Sequence, residues 1–368
     1  MGPELLPALP SQRRERLLRL LDRGDIQRVA DLATALEVAP VTVRRDIAFL
    51  AAQGQVRRVR GGAVAMERAA DLPAMGAGDG QATSIGIVVP SMKYYWPDVV
   101  RGAREAAQAL GVRLVLRGST YDARIDRRNL ARLVDSVGVA GLVIAPMTSG
   151  EEGEELVRWM QELTVPIVLA ERTAVRGDYG QPMDSVTSNH ELGAGMALRL
   201  LAQLGHRRIG LVTVAKSPTT PALRAGWRAV CAELGLETAG VPDVDTEDYG
   251  SPTWPETLDA VLDATLSSRT TALLVHSDAE AIELLGRCDE RGIRVPEDLS
   301  VIAYDDEVAS MATPPLTAVH PPKTEIGRAA VELLANRVRT PETVHTQRIV
   351  ITPELRVRQS TAPPAQVH

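Results

Sequence analysis

The sequence predicts an α/β fold in two parts, a small winged helix-turn-helix followed by a two-lobed, doubly wound body. Three observations support this architecture: an arginine-rich segment at 42–62, an aperiodic segment at 64–83, and short apolar runs that alternate with helical patterns from residue 84 onward. At 368 residues the chain is also too long for one ordinary domain. We therefore expect two or three domains.

Three helical patterns open the chain. Leu17, Leu18 and Leu21 mark the first, and residues 29–36 carry the second. The third begins at Pro40, because proline is favoured at the first position of a helix. Three short helices in this order, with a tight turn before the third, are typical of a helix-turn-helix whose third helix enters the major groove of DNA.

The third helix is amphipathic. Val43, Ile47 and Leu50 follow one another at i, i+4 and i+7 and are predicted to be buried on one face. On the opposite face we expect contacts with DNA from Val41, Thr42, Arg44 and Arg45. The two arginines are candidates for base contacts, because a guanidinium can donate two hydrogen bonds to guanine. The sequence does not decide which of them contacts a base.

A basic wing follows the third helix. After a turn at Gly54, two short strand patterns carry Arg57, Arg58 and Arg60. We expect these arginines to contact phosphates, which adds affinity and salt dependence with little sequence readout. A helix with an outward basic face followed by a basic wing therefore predicts binding to a polyanion.

The charge of the chain is divided unevenly along the sequence. The whole chain has a net charge of −6, but residues 1–68 contain 12 arginines against 8 acidic residues. The rest contains 29 basic and 39 acidic residues. A small basic head on a large acidic body fits DNA binding by the head alone.

The body predicts parallel sheets that are covered on both faces. Its apolar runs are continuous rather than alternating, as expected for buried parallel strands. They lie at 85–89, 142–145, 167–170, 209–214, 273–275 and 301–304. Since the body from residue 84 onward is too long for one such sheet, we expect two lobes with a ligand cleft between them.

Several classes of protein are disfavoured by what the sequence lacks. Cys231 and Cys288 have neither metal-binding nor disulfide spacing, and the six histidines show no metal motif. No nucleophile motif of a serine or cysteine enzyme occurs. Nor is there a signal peptide or a run of membrane-spanning length. We expect a cytoplasmic protein that is no enzyme, needs no metal or cofactor, and does not contact a membrane.

The head resembles the DeoR-type winged helix-turn-helix of bacterial repressors. The matching segments are Arg16-Leu17-Leu18, Val29-Ala30-Asp31-Leu32-Ala33, Thr42-Val43-Arg44-Arg45-Asp46-Ile47 and Gly61-Gly62-Ala63. Ala39 replaces the serine that usually caps the recognition helix, and Arg60 replaces a histidine. The resemblance implies a DNA-binding domain at 1–63, and the body is not the sugar-phosphate sensor usually attached to such a head.

The body instead resembles the periplasmic-binding-protein-like sensor of LacI/GalR repressors. The matching segments include Ile85-Gly86-Ile87-Val88-Val89-Pro90, Leu204-Gly205-His206-Arg207-Arg208-Ile209, Val295-Pro296-Glu297-Asp298-Leu299-Ser300-Val301 and Pro353-Glu354-Leu355. The expected divisions are a linker at 64–83, a sensor at 84–360 and a tail at 361–368. Within the sensor we expect an N-lobe at about 84–186 and 308–320, and a C-lobe at about 187–307 and 321–360.

Three adjacent aromatic residues, Tyr94, Tyr95 and Trp96, follow the first predicted strand of the body. Ligands bind at the carboxyl ends of parallel strands, and flat aromatic faces pack against a sugar ring or a base. The alternative is that these side chains cover the edge of the lobe. The resemblance implies that Tyr95 and Trp96 contact the effector.

The same resemblance implies polar effector contacts, each of which could instead be a charge at the lobe edge. The candidates are Glu171, Arg172, Arg224, Tyr249, Asp278 and Asp305. Arg224 lies one position nearer to Gly226 than is usual in the family. Carboxylates and arginines around aromatic walls fit a polyhydroxylated ligand, because each hydroxyl needs both donor and acceptor partners.

These features predict a DNA-binding repressor of carbohydrate uptake or metabolism genes that is controlled by a sugar-like effector. We expect a homodimer or a higher homo-oligomer that binds double-stranded operator DNA. The main alternative is the same class of regulator with a purine or nucleoside effector, since Trp96 could also stack on a base. A sugar-binding protein that does not act on DNA is a further alternative.

Overall fold

The computed structural model divides the chain into two compact units, Met1–Gln81 and Ala82–His368. The structure describes residues 16–18, 20–21, 27–36, 38–39, 42–43, 45–47, 50, 56–59, 62–65, 83–119, 122–177, 179–247, 251, 253–340 and 345–365.

The first unit combines helices with a small antiparallel sheet. Its elements are β1 (Gln27–Arg28), α1 (Val29–Leu36), β2 (Val56–Val59) and β3 (Gly62–Ala65), and the sheet order is β1-β3-β2. Described residues between 16 and 21 and between 42 and 50 are also helical. The sequence did not predict β1, and β3 extends two residues beyond the boundary expected at residue 63.

The buried face of the third helix is confirmed. Val43, Ile47 and Leu50 are each at most 3% exposed. They pack with apolar side chains of the preceding helices and with Val56 of the wing. This spacing therefore turns the remaining face of the helix outward, and Arg45 on that face is exposed.

The second unit is a two-lobed α/β structure, so the predicted fold class is confirmed. Its strands are β4 (Ser84–Val89), β5 (Arg113–Gly118), β6 (Leu142–Ile144), β7 (Ile167–Ala170), β8 (Val175–Arg176), β9 (Gln181–Pro182), β10 (Ser185–Ser188), β11 (Ile209–Val214), β12 (Asp243–Thr246), β13 (Ala272–His276), β14 (Ser300–Tyr304), β15 (Thr317–His320), β16 (Arg348–Ile351) and β17 (Glu354–Arg356). Its helices are α2 (Trp96–Ala109), α3 (Ala123–Arg132), α4 (Gly150–Met160), α5 (His190–Gln203), α6 (Thr220–Leu234), α7 (Trp254–Ser267), α8 (Asp278–Glu290) and α9 (Lys323–Arg339).

Each lobe is built on a six-stranded sheet. The N-lobe sheet has the order β16-β10-β7-β6-β4-β5, and the C-lobe sheet has the order β12-β11-β13-β14-β15-β17. Within these two sheets the paired strands are parallel except β15 and β17, and β8 and β9 form a separate antiparallel pair. Apolar clusters cover both faces of both sheets, which explains why the strands are continuous apolar runs.

The chain crosses between the lobes three times, and this differs from the expected lobe boundaries. Residues 308–320 were expected in the N-lobe, but β15 lies in the C-lobe sheet. Within 321–360, expected in the C-lobe, α9 packs on α2 and β16 joins the N-lobe sheet. The crossings lie at 188–190, 320–323 and 351–354.

Two glycines explain why α9 belongs to the N-lobe. A Cβ at Gly102 of α2 would lie 1.9 Å from the carbonyl O of Thr324, and a Cβ at Gly327 of α9 would lie 1.8 Å from that of Val99. Only glycine at these two positions allows the backbones to approach so closely. The α2–α9 pairing depends on contacts distant in sequence, which local patterns do not reveal.

The expected tail at 361–368 is partly a structured segment. Up to residue 365, where the description ends, it packs on the C-lobe. The amide of Ala362 donates to Ser300 Oγ at 3.0 Å, and its carbonyl lies 2.9 Å from His206 Nε2. Among the helices that the structure describes, none combines the length and the apolarity that a membrane span requires.

Candidate ligand-binding cleft

A cavity of about 230 Å³ lies between the two lobes of the second unit. Its walls come from loops at the carboxyl ends of strands, as expected for open parallel sheets. The lining residues are Ser91, Tyr94, Tyr95, Trp96, Glu171, Arg172, His190, Val214, Ser217, Pro218, Thr219, His276, Ser277 and Asp305. Five of the predicted effector contacts are therefore brought together here.

Aromatic rings form the N-lobe wall of the cavity. Tyr95 and Trp96 contact edge to face, with ring centres 5.5 Å apart. The guanidinium of Arg172 lies 5.9 Å from the Trp96 ring centre, and the ammonium of Lys323 lies 5.5 Å from that of Tyr95. Packing of a cation over each ring fixes the wall in place.

Glu171 is buried at the end of β7 and is held by several donors. Its Oε1 accepts hydrogen bonds from the Tyr95 hydroxyl at 2.5 Å and from Ser188 Oγ at 2.6 Å. Its Oε2 accepts from the Ser188 amide at 2.9 Å and lies 3.3 Å from His190 Nε2. Although burial opposes ionisation, the contacts with His190, Ser188 and Tyr95 hold the pKa of Glu171 at about 2. Glu171 is thus an ionised carboxylate whose acceptor capacity is largely used inside the protein.

Asp305 is a buried carboxylate of a different kind. It follows β14 with a φ of 100°, in the left-handed region that non-glycine residues rarely adopt. Among the described residues no hydrogen bond reaches its side chain, and its Oδ2 lies 3.6 Å from His276 Nε2. Burial raises the pKa of Asp305 to about 6, against the opposing effects of Lys323 and His190.

Sequence reasoning missed two histidines of the cavity. His276 ends β13, packs edge to face on Tyr304, and has a buried Nδ1 without a hydrogen-bond partner in the described structure. Burial lowers the pKa of His276 to about 4, so the imidazole is neutral near neutral pH. His190 lies at a lobe crossing, with Nδ1 3.0 Å from the Tyr304 hydroxyl. His276 ends a strand and His190 follows one. The rule that ligands bind at the carboxyl ends of parallel strands, which was used for Tyr95, would therefore have identified both.

Asp278 is placed differently from its expected role as an effector contact. Its carboxylate accepts hydrogen bonds from the backbone amides of Asp306, Glu307, Val308 and Ala309 at 2.6–3.1 Å. Burial raises the pKa of Asp278 to about 6. The side chain therefore fixes the loop after Asp305 and does not line the cavity.

Arg224 does not line the cavity either. Arg224 donates to Asp243 at 2.7 Å, to Asp245 at 2.6 Å and to Thr213 at 3.2 Å, so it ties α6 to the edge of the C-lobe sheet. Tyr249 lies outside the described residues.

The predicted DNA contacts are described only in part. Thr42 is half-buried and Arg45 is exposed on the third helix. Arg57 and Arg58 lie on β2 opposite Val64 and Ala63, and their side chains are outside the described residues. Val41, Arg44 and Arg60 lie wholly outside that part of the chain.

Two family models match the chain, one in each unit. Residues 13–69 match a DeoR-like helix-turn-helix domain, and residues 198–361 match a periplasmic binding protein-like domain. The two family models therefore match the head and the body separately.

Curated relatives are transcriptional repressors. The ribose operon repressor of Escherichia coli is 31% identical over 283 residues, covering 76% of this chain and 82% of the relative. A transcriptional repressor named PurR from Photobacterium profundum is 27% identical, covering 74% and 79%.

Solved structures share the fold. A LacI family regulator from Enterococcus faecium with bound ribose has a TM-score of 0.60 and 24% identity, covering 76% of this chain and 99% of that one. The identity to the ribose operon repressor and its coverage establish the family. The chain therefore belongs to the LacI family of DNA-binding transcriptional repressors, which are not enzymes, and it carries a DeoR-like helix-turn-helix at its N-terminus.

Proposed function

We propose that this protein represses genes of carbohydrate uptake or metabolism and releases or binds its operator in response to a small sugar in the inter-lobe cleft. The observation that carries the proposal is the buried Asp305 carboxylate, which has no hydrogen-bond donor in the described structure and faces the aromatic wall of Tyr95 and Trp96. Aromatic faces and a carboxylate together fit a sugar ring and its hydroxyls. The volume of about 230 Å³ is below the range typical of drug-sized ligands and favours a small one.

The effector contacts that we propose are Tyr95, Trp96, Arg172 and Asp305, with Glu171 acting by positioning Tyr95. The ribose operon repressor and the ribose complex of a related fold give a first sugar to test. The experiment is a thermal-shift screen of the full chain with ribose, arabinose, cellobiose, adenine, hypoxanthine and adenosine. A rise in unfolding temperature with a sugar, lost in Asp305→Ala, is the expected result.

A purine effector is the alternative because the relatives include a repressor named PurR and because Trp96 could stack on a base. Stabilisation by adenine, hypoxanthine or adenosine and by no sugar would replace the carbohydrate proposal with this one. Stabilisation by sugars without any binding to DNA would instead point to a sugar-binding protein that does not act on DNA.

We further propose that two heads of a homodimer bind a pseudo-palindromic operator through Val41, Thr42, Arg44 and Arg45, with Arg57, Arg58 and Arg60 on phosphates. Two symmetry-related heads match the two half-sites of such an operator. Sedimentation of the full chain measures the oligomeric state, and a monomer at micromolar concentration contradicts the dimer. Closure of the cleft would then change the spacing of the heads and so the operator affinity.

The DNA contact is tested with duplexes selected by the wild-type protein from random sequences. Arg45→Ala is expected to weaken binding by about tenfold or more at fixed salt, because one arginine contact is lost. The control is Arg128→Ala, which removes an equally exposed arginine from α3 in the N-lobe. Equal affinities of the two variants would contradict the recognition-helix assignment.

A further inference from the structure

The charged groups around the cleft disfavour the binding of an anionic ligand. Two carboxylates, Glu171 and Asp305, line the cavity. Arg172 is the cation among the described lining residues, and its Nη1 donates to the carbonyl O of Glu171 at 2.6 Å. Lys323 lies behind Tyr95, where its ammonium donates to the carbonyl O of Asp305 at 2.6 Å and to Glu307 Oε1 at 2.5 Å. Lys323 is therefore engaged before any ligand binds, and one guanidinium, that of Arg172, stands against two carboxylates among the described lining residues.

Asp305 and His276 form the polar pair of the C-lobe wall. The distance of 3.6 Å between Oδ2 and Nε2 is too long for a hydrogen bond, and both residues are at most 6% exposed. Buried polar atoms without partners cost free energy, so a ligand that satisfies both of them recovers that cost on binding. A hydroxyl group does so, because its oxygen accepts from an imidazole N–H while its own proton is donated to a carboxylate.

We propose that His276, beside the Asp305 carboxylate proposed above as an effector contact, is a specificity-determining residue that binds the same ligand hydroxyl, and that the preferred ligand is an unphosphorylated, uncharged sugar. The proposal rests on the sugar-sensing function proposed above. A phosphate dianion has no proton to donate to Asp305, and among the described lining residues it would lie near two carboxylates, Glu171 and Asp305, against the single guanidinium of Arg172.

The neighbours of His276 decide which variants test this role. The imidazole packs on Tyr304 with ring centres 6.0 Å apart, so phenylalanine keeps the ring contact and removes both nitrogen atoms. Glutamine keeps a polar N–H group that can still donate. The control His345→Ala removes an exposed imidazole near the end of the N-lobe.

Calorimetric titration of the full chain compares ribose, arabinose and glucose with ribose 5-phosphate, arabinose 5-phosphate and glucose 6-phosphate. We expect each phosphorylated sugar to bind at least about tenfold more weakly than its parent, and His276→Phe to weaken the best sugar by about tenfold or more. His276→Gln should recover part of that loss, and His345→Ala should bind like the wild type. The unfolding temperature of each variant without ligand reports whether it is folded.

Two results would overturn this proposal while leaving sugar sensing intact. One is a phosphorylated sugar that binds as tightly as its parent or more tightly. The other is a folded His276→Phe variant with the affinity of the wild type. Failure of the wild type to bind any sugar of the panel would count against the sugar-sensing function and this proposal together.

Discussion

The two walls of the cleft differ in how far their polar groups are satisfied. On the N-lobe side, Glu171 is tied to Tyr95, Ser188 and His190 by short contacts. On the C-lobe side, Asp305 and His276 stand 3.6 Å apart without a hydrogen bond between them. The first arrangement stabilises the fold by itself, and the second costs stability that a bound ligand can restore. The same residue chemistry, a buried carboxylate near a histidine, is thus satisfied within the protein in one wall, and in the other it is the group that we propose to bind the ligand.

We expect the largest loss of stability from removing Glu171, whose hydrogen bonds hold the N-lobe wall of the cleft together. Glu171→Ala leaves the buried Tyr95 hydroxyl and the Ser188 and His190 donors without their acceptor. We expect the free energy of unfolding to fall by about 3 kcal/mol, measured by urea denaturation. A loss below about 1 kcal/mol would show that Glu171 is not a structural anchor.

Asp305→Asn tests the unsatisfied wall. It removes a buried charge that has no hydrogen-bond donor within the described residues, so we expect unfolding stability to be unchanged or higher. Affinity for the best sugar should fall by about tenfold, measured by calorimetry, because a bond to a charged acceptor is lost. A large loss of stability with unchanged affinity would reverse the roles assigned to the two walls.

The two carboxylates should give opposite pH dependences. The pKa of Asp305 is raised to about 6, so its ionisation destabilises the fold as pH rises from about 4 through 6. The pKa of Glu171 is held at about 2, so its contribution is present above about 4.5 and is lost as pH falls toward 2. Groups that act on Asp305 are Lys323, His190, Glu307 and Glu280.

The measurement is the difference in unfolding free energy between the wild type and each single variant, followed from pH 3 to pH 8. In Asp305→Asn the stabilisation seen on lowering the pH from 7 to 5 should be reduced, and in Glu171→Gln the loss below pH 4.5 should be reduced. Sugar affinity of the wild type should also weaken below about pH 6, as Asp305 takes up a proton. If the unfolding free energies of Asp305→Asn and of the wild type changed with pH in parallel, the raised pKa of Asp305 would be contradicted.

The smallest effect is expected at Arg224, which lies away from both walls. Its contacts with Asp243 and Asp245 are partly exposed ion pairs, whose removal costs about 1 kcal/mol or less. Arg224→Ala should leave sugar affinity within about twofold of the wild type by calorimetry. A tenfold loss of sugar affinity in this variant would instead show that Arg224 takes part in effector binding.

The sequence predicted five positions in the cleft, the aromatic ones from their place after a strand and the polar ones, Glu171, Arg172 and Asp305, from the family resemblance. Tyr95, Trp96, Glu171, Arg172 and Asp305 all lie within a few residues after a buried strand, and all line the cavity. Strand ends are visible in the sequence because the apolar runs stop there. The carboxyl-end rule then places the following residues at one edge of a sheet.

What sequence could not supply was the direction of each side chain. Asp278 follows β13 as expected, but the amides of 306–309, which come from a loop after another strand, capture its carboxylate. The lobe of α9 was likewise set by its distant contact with α2. Partners far apart in sequence determine both outcomes, and no local pattern encodes them.

The close approach of α2 and α9 at Gly102 and Gly327 limits how the two helices can move. With backbone against backbone and no side chains between them, α2 and α9 cannot slide past each other without a clash. Trp96 begins α2 at the aromatic wall, and Lys323 begins α9 beside a lobe crossing. We therefore expect a ligand that displaces the aromatic wall to move the two helices together, as a rotation about the crossings rather than as sliding of one helix past the other.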